Sequence, residues 1–251
     1  MMSQVQSVNR SFFLLEYIAK NEPVSLNELV EAIGLSKTTV HRLVSALIEN
    51  KYVEKNNLTH QYSLSFKMFQ LGNSSLQKND YLNIAKSFIS KLSNEINETC
   101  HLVIEDHQEV LYIEKFTPNN MFKAMASKVG QRAPMYCTAV GKSILSTYDN
   151  ESIKAIWEQT DIIAYTDNTI TNFDDFIKEI ETIRKQGYAE DKEENEKGIT
   201  CVGTFFVNYK NEVKGAISLS FSTSQLDKKD LYVKNLTEVA TNISKHLGYD
   251  N

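Results

Sequence analysis

Residues 36–42 concentrate side chains that can donate hydrogen bonds to phosphate oxygens and to nucleobase edges. Lysine and arginine supply positive charge, and hydroxyl and imidazole groups can donate or accept hydrogen bonds. No acidic residue lies between Glu31 and Glu49, although acidic residues outnumber basic ones in the whole chain. A phosphate backbone would meet this segment without repulsion, which predicts contact with double-stranded DNA. The residues predicted to make that contact are Ser36, Lys37, Thr38, Thr39, His41 and Arg42.

Two short helices joined by a tight turn would present these side chains. Ser25 can cap the first helix together with Glu28, and Gly34 can end it in the left-handed conformation. Ser36 can then cap a second helix whose apolar residues share one face, which leaves its basic and hydroxyl residues exposed. This helix-turn-helix pattern is typical of DNA recognition, although an ordinary packed helix pair with a solvated polar face has the same pattern.

The flanking sequence favours a winged helix. Apolar residues recur at helical spacing within 8–18, which predicts a third helix that covers the other two. Short strands at 52–54 and 61–64 flank a polar hairpin tip, where Asn57 is predicted to contact the DNA backbone. The second helix of the motif would then occupy the major groove.

Length and charge limit the possible partners. The 251 residues carry a formal net charge of −5, with seven Lys or Arg against six acidic residues up to Gly72. This balance argues against a protein that coats nucleic acid indiscriminately, so DNA affinity would depend on a local basic face and on paired protomers. The sequence has no apolar run of membrane-spanning length and no signal-peptide pattern, which predicts a cytoplasmic protein without membrane partners.

The rest of the chain predicts a second domain that mixes helices with a mainly antiparallel sheet. An apolar stripe within 73–97 indicates a linker helix and is a candidate interface between protomers, although packing within the protomer has the same pattern. Strands are predicted at 100–105, 110–114, 122–126, 199–207 and 213–221. Helices are predicted at 139–147, 151–158, 173–186 and 227–247.

Enzyme signatures are missing from this second domain. The chain has no Gly-rich phosphate loop, no Gly-x-Ser-x-Gly turn and no His-Glu-x-x-His pair. Residues 141–143, Gly-Lys-Ser, match the end of a phosphate loop, but Tyr136 stands where that loop needs a glycine. We therefore expect no catalytic residue and no cofactor.

The residues that could bind a metal ion, and those that could act as an acid–base pair, can also be explained by ordinary strands, turns and surface loops. Cys100 and His101, with Asp106 and His107, could form a metal site, yet a strand and its turn explain the same residues, so we expect no metal. The acidic run at 190–196 is more typical of a solvated surface loop than of an acid–base pair.

The motifs together resemble the IclR-type bacterial transcriptional regulators. The matching segments follow that family's order at 7–16, 34–43, 61–64 with 71–72, 138–145, 183–194, 198–201 and 215–220. The resemblance implies an α+β protein with a winged helix-turn-helix domain at 1–72, a linker at 73–97 and a GAF-like α/β effector-binding domain at 98–251. It also implies promoter binding as a homodimer or homotetramer.

The resemblance further implies an effector pocket in the second domain. Its predicted residues are Phe122, Met125, Ala139, Val140, Asp191, Cys201, Ser218 and Ser220. A helix that begins near Ala139 would point free backbone N–H groups at a small carboxylate, and the two serines would face the same side of a strand. The sequence departs from the family pattern at 202–205 and 221–222, which leaves pocket size and ligand identity open.

These features predict a ligand-responsive transcriptional regulator that senses a small organic acid or related metabolite, with repression favoured over activation. The alternative is a metabolite-converting enzyme tethered to DNA or to a partner by a winged helix. A third interpretation is a winged-helix interaction module without DNA binding.

Overall fold

The chain folds into two compact units, residues 1–79 and 80–251. The computed structural model describes residues 5–77, 79–118 and 127–249. The strand predicted at 122–126 lies outside the described residues. No helix among the described residues is long and apolar enough to cross a membrane.

The first unit is a winged helix. Its elements are α1 (Gln6–Asn21), α2 (Leu26–Ile33), α3 (Lys37–Glu49), β1 (Val53–Lys55), β2 (Tyr62–Leu64) and α4 (Phe66–Leu76). Side chains from α1, α2, α3 and the hairpin bury one small core, which includes Leu14, Ile18, Leu29, Val40 and Val53. Burial of this apolar surface holds the three helices against the hairpin.

The predicted helix signals in this unit are confirmed. Ser25 and Glu28 form a reciprocal capping box: Ser25 Oγ accepts from Glu28 N–H at 3.3 Å, and Glu28 Oε2 accepts from Ser25 N–H at 2.7 Å. Gly34 ends α2 with φ of 68°, a conformation that costs other residues steric energy. Ser36 then caps α3 by accepting from Thr39 N–H.

The second unit is built on one antiparallel sheet. Six strands lie in the order β5-β4-β3-β8-β7-β6. In chain order they are β3 (Thr99–Asp106), β4 (Glu109–Phe116), β5 (Arg132–Pro134), β6 (Ala189–Lys192), β7 (Ile199–Val207) and β8 (Val213–Ser222). Strand β8 thus lies at the centre, between β3 and β7.

Helices cover both faces of this sheet. They are α5 (Asp80–Ile96), α6 (Ala139–Leu145), α7 (Asn150–Gln159), α8 (Phe173–Gln186) and α9 (Lys229–His246). Helices α5 and α9 pack on one face, where Phe221 of β8 lies 4.9 Å from the ring of Tyr232. Helices α6, α7 and α8 cover the other face with a core that contains Val103, Phe176 and Ala216.

Two expectations for this unit are corrected. The acidic run at 190–196 is not a solvated loop, because Glu190 and Glu194 are buried as well as Asp191, the residue expected to face the pocket. Glu190 of β6 lies 3.2 Å from Lys229 Nζ, and Glu194, in the segment after β6, lies 2.6 Å from Lys142 Nζ, so these two charges are compensated inside the protein. The sequence also did not predict β5 or β6, which are only three and four residues long.

The apolar stripe on α5 serves largely within its own unit. Leu82, Ala85, Ile89 and Leu92 are buried, and Phe88 packs edge-on against His246 of α9. Packing within the protomer therefore accounts for much of the stripe that was considered as an interface.

Candidate functional site

Helix α3 exposes the residues predicted to contact DNA. Its apolar residues Val40, Leu43, Val44 and Leu47 are buried, whereas Lys37, Thr38, His41 and Arg42 are exposed at or near its N-terminal end. Thr39 is half-buried, and its hydroxyl lies 2.9 Å from the Ser36 hydroxyl at the cap. The helix therefore buries its apolar face in the core and leaves its polar face accessible to a binding partner.

The two cations on this helix are not neutralised by the protein. Within residues 5–77, neither Lys37 nor Arg42 forms an ion pair with a carboxylate. Their charge adds to the positive end of the α3 dipole. The combination provides a local basic face in a chain of net negative charge.

The hairpin between β1 and β2 ends in an exposed polar tip. Asn56 Oδ1 accepts from Leu58 N–H at 2.8 Å and from Thr59 N–H at 3.1 Å, which folds the tip into a compact turn. Asn57, the predicted contact residue, is exposed at this tip. The turn thus leaves the Asn57 amide free to reach a phosphate backbone.

A small cavity of about 40 Å³ in the second unit brings together the predicted effector residues that are described. Ala139, Val140, Asp191, Cys201, Ser218 and Ser220 all line it. Phe122 and Met125, predicted as apolar wall positions, lie outside the described residues. Two features form the cavity: the register in which the strands pair, and the close approach of α6 to the sheet.

Strand register places the polar residues in two rows across the sheet. Asp191 pairs with Cys201, and Cys201 pairs with Ser220. Two residues along β8, Ser218 pairs with His101 of β3. Because alternate residues of a strand share a face, both serines point into the same cavity.

The start of α6 lies directly against β7 at Gly203. A Cβ atom on Gly203 would lie 2.7 Å from the Ala139 carbonyl carbon and 2.8 Å from Val140 N. Only a glycine leaves room for this approach, which gives the sequence departure at 202–205 a structural role. Thr138 caps α6, with its Oγ1 accepting from Gly141 N–H at 3.2 Å.

Asp191 is buried at one side of the cavity. Its Oδ1 accepts from Glu194 N–H at 2.7 Å and from Asn195 N–H at 3.3 Å. Burial and, second to it, the negative charge of the nearby Glu194 raise the pKa of Asp191 to about 7. Near neutral pH this carboxyl group can therefore either accept or donate a hydrogen bond.

Cys201 lies beside the Ser220 hydroxyl, at an Sγ to Oγ distance of 3.0 Å. Burial raises the pKa of its thiol well above the usual value. A protonated thiol is a weak nucleophile, so Cys201 serves as a small polar wall of the cavity.

No metal site is present among the described residues, where no group of His, Cys, Asp and Glu could hold an ion. Cys100 and His101 point to opposite faces of β3, and His107 lies exposed in the turn after it. The strand-and-turn explanation of these residues is the one that the fold supports.

Comparison with known proteins identifies both units. Residues 7–57 match the IclR helix-turn-helix domain, and residues 73–245 match the bacterial transcriptional regulator IclR C-terminal domain. The chain belongs to the IclR family of transcriptional regulators. It is accordingly a ligand-responsive, DNA-binding regulator and not an enzyme, which excludes the alternative of a tethered enzyme.

Individual members of the IclR family resemble the chain along nearly all of its length. The HTH-type transcriptional regulator KdgR of Escherichia coli is 32% identical over 98% of this chain and 94% of that protein. The transcriptional repressor IclR of Escherichia coli is 28% identical over 89% of this chain and 82% of that protein. The crystal structure of Thermotoga maritima IclR, 30% identical, superposes with a TM-score of 0.82 over 98% of this chain and 100% of that chain.

This IclR-family chain also has cavity residues that sequence reasoning missed. They are His101, Tyr112, Ser127, Thr138, Asn195, Glu196 and Ile199. Thr138 could have been found from its position as a cap directly before Ala139. The others carry no local signal, because strand pairing and chain packing bring them to the cavity.

Proposed function

We propose that α3 enters the major groove of promoter DNA and that Asn57 contacts the adjacent backbone. The observation that supports this assignment is the exposed, unpaired basic face of α3 at the end where its dipole is positive. In this arrangement Arg42 reads a base edge and Lys37 contacts a phosphate. The hydroxyl groups of Ser36, Thr38 and Thr39 supply further contacts.

We infer that the cavity binds a small organic acid, with the ligand carboxylate at the start of α6. The first N–H groups of a helix lack intrahelical acceptors and attract anions, and Ala139 and Val140 line the cavity at that point. An ionised Asp191 would repel such a ligand, so the carboxylate and Asp191 lie at opposite ends. The raised pKa of Asp191 lowers that repulsion near neutral pH.

The regulator further acts as a homodimer or homotetramer in this proposal. One winged helix reads only one half-site, so tight binding at physiological salt needs two. Phe66 and Phe69 of α4 are 88% and 70% exposed, and apolar surface of this kind is typical of an interface. A second copy of the chain that covers these rings would pair two winged helices.

Repression in the cytoplasm is the proposed mode of action. The name of the Escherichia coli relative IclR as a repressor supports this choice over activation. A repressor of this kind leaves its operator when the ligand changes the relative placement of the paired DNA-binding domains.

One experiment tests the assignment of ligand and DNA together. DNA fragments bound by the purified protein are enriched by selection, and their affinity is measured with and without each member of a library of small organic acids. We expect at least one acid to weaken DNA binding. In a thermal-shift measurement the same acid should raise the melting temperature of the protein, because it binds only the folded state. Selection of DNA without any acid-dependent change would contradict the proposed ligand class while leaving the DNA assignment intact.

A further inference from the structure

His101 is buried in the wall of the cavity, and each of its two ring nitrogens contacts a serine hydroxyl. It is 3% exposed and lies on β3 opposite Ser218 of β8. Its Nε2 atom lies 2.9 Å from Ser127 Oγ, and its Nδ1 atom lies 3.4 Å from Ser218 Oγ. The ring packs edge-on against Tyr112 at a centroid distance of 5.3 Å. These contacts fix the ring between two hydroxyl groups that both face the cavity.

The ring of His101 is neutral in this setting. Burial and, second to it, the positive charge of the nearby Lys115 of β4 lower its pKa to about 3. Lys115 itself is held close to the ring, since its Nζ donates to the Ser127 carbonyl oxygen at 2.8 Å. Asp191, the acid on β6, lines another part of the same cavity.

A neutral imidazole carries one donor nitrogen and one acceptor nitrogen. One serine hydroxyl must therefore accept a hydrogen bond from the ring, while the other donates to it. The hydroxyl that accepts keeps its own hydrogen for the cavity. The hydroxyl that donates offers only a lone pair, and the opposite tautomer exchanges these two roles.

We propose that His101 is a specificity-determining residue, because by linking Ser127 to Ser218 it makes this end of the cavity present one donor and one acceptor. Such a pair matches an alcohol hydroxyl, which can donate and accept at once, better than a carboxylate, which only accepts. The effector is then a hydroxy acid whose hydroxyl lies between the two serines and whose carboxylate lies elsewhere. This inference rests on the proposed function of the cavity as the effector site.

The first test needs no ligand. Nitrogen-15 NMR of the histidine rings in the full chain reports protonation and tautomer separately. We expect His101 to stay neutral down to about pH 5, as burial requires. Ser127→Ala should shift the His101 ring signals, because one hydrogen-bond partner is lost. A ring that protonates near pH 6, or signals that ignore Ser127→Ala, would overturn the proposal.

The second test measures selectivity with two acids that differ by one hydroxyl group, lactate and propionate. Calorimetry on the wild-type chain should give about three- to tenfold tighter binding of lactate, the range of one hydrogen bond. His101→Phe should remove that preference while it still binds propionate. Ser127→Ala, at a half-buried position, repeats the test if His101→Phe does not fold.

The outcomes of the second test distinguish a failure of the role proposed for His101 from a failure of the proposed organic-acid site. Equal binding of lactate and propionate by the wild-type chain would overturn the role of His101 and leave the organic-acid site standing. Binding of neither acid would contradict the proposed ligand class, and the specificity proposal with it.

Discussion

Lys142 and Glu194 form an ion pair inside the protein, with Nζ 2.6 Å from Oε1 and the lysine side chain fully buried. Glu179 of α8 adds a second carboxylate at 3.2 Å. Burial alone would lower the pKa of Lys142, but Glu194 and Glu179 raise it above its usual value. The pair joins α6 to the segment after β6, and Glu194 N–H in turn holds Asp191 at the cavity.

We expect Lys142→Met to lower the free energy of unfolding by about 3–5 kcal/mol, because it leaves Glu194 buried without its cation. Urea denaturation measures the change. Lys178→Met, at an exposed pair with Asp175 on α8, is the matched control and should leave the midpoint nearly unchanged. The double variant Lys142→Met/Glu194→Leu should recover much of the loss, and a single variant as stable as wild type would refute the role of the pair.

Asp191 should make stability depend on pH. Its pKa in the folded protein, about 7, exceeds the ordinary value of 3.8, so its protonated form stabilises the fold at low pH. That contribution is complete below the ordinary value and is lost as pH rises through about 7. Relative to Asp191→Asn, the wild-type free energy of unfolding should fall by up to about 1.4 kcal/mol per pH unit over this range.

Asp167→Asn is the control for this measurement. Asp167 is exposed, and its hydrogen bond and charge interaction with Lys197 lower its pKa. The contribution of Asp167 to the free energy of unfolding is therefore lost as pH falls, whereas that of Asp191 is lost as pH rises. A difference between wild type and Asp191→Asn that does not change with pH would show that Asp191 keeps its ordinary pKa.

Gly203→Ala should disturb the start of α6. The new methyl group would lie 2.7 Å from the Ala139 backbone, and such overpacking costs about 1–3 kcal/mol. Gly72→Ala in α4 meets no atom within 4 Å and should stabilise by about 0.5–1 kcal/mol. Urea midpoints compare the two variants, and an unchanged midpoint for Gly203→Ala would mean that α6 does not need this close approach.

Two α3 variants separate base reading from phosphate contact. Arg42→Ala should weaken operator binding by about 1–3 kcal/mol and relax its sequence preference. Lys37→Ala should weaken binding to all sequences and reduce the salt slope by about 1. Fluorescence anisotropy over a salt series measures both, with Lys154→Ala on α7 as the control. Unchanged affinity of the Arg42→Ala/Lys37→Ala double variant would exclude α3 as the contact helix.

Exposed rings on α4 give a test of self-association. Phe69→Ser should shift the chain toward monomer in sedimentation velocity, because burial of an aromatic side chain in an interface is lost. Leu58→Ser, which removes an apolar residue exposed at the hairpin tip, should leave the sedimentation coefficient unchanged. A wild-type monomer that still binds its operator tightly would contradict the proposed pairing.

The local features of this regulator follow from short stretches of sequence. The capping box at Ser25 and Glu28, the left-handed Gly34 and the buried stripe of α3 depend on neighbours within a few residues, so sequence rules alone predict them. The strands β7 and β8 are long and apolar enough to be predicted in the same way.

Tertiary structure decides how distant residues combine. His101 meets Ser218 only because β8 pairs with β3, and the residues are separated by more than a hundred positions. The acids at 190–196 look like a solvated run in sequence, yet Lys142 and Lys229 compensate two of them inside the fold. A charge can be buried only where a partner is supplied, and that partner comes from another part of the chain, which no local pattern specifies.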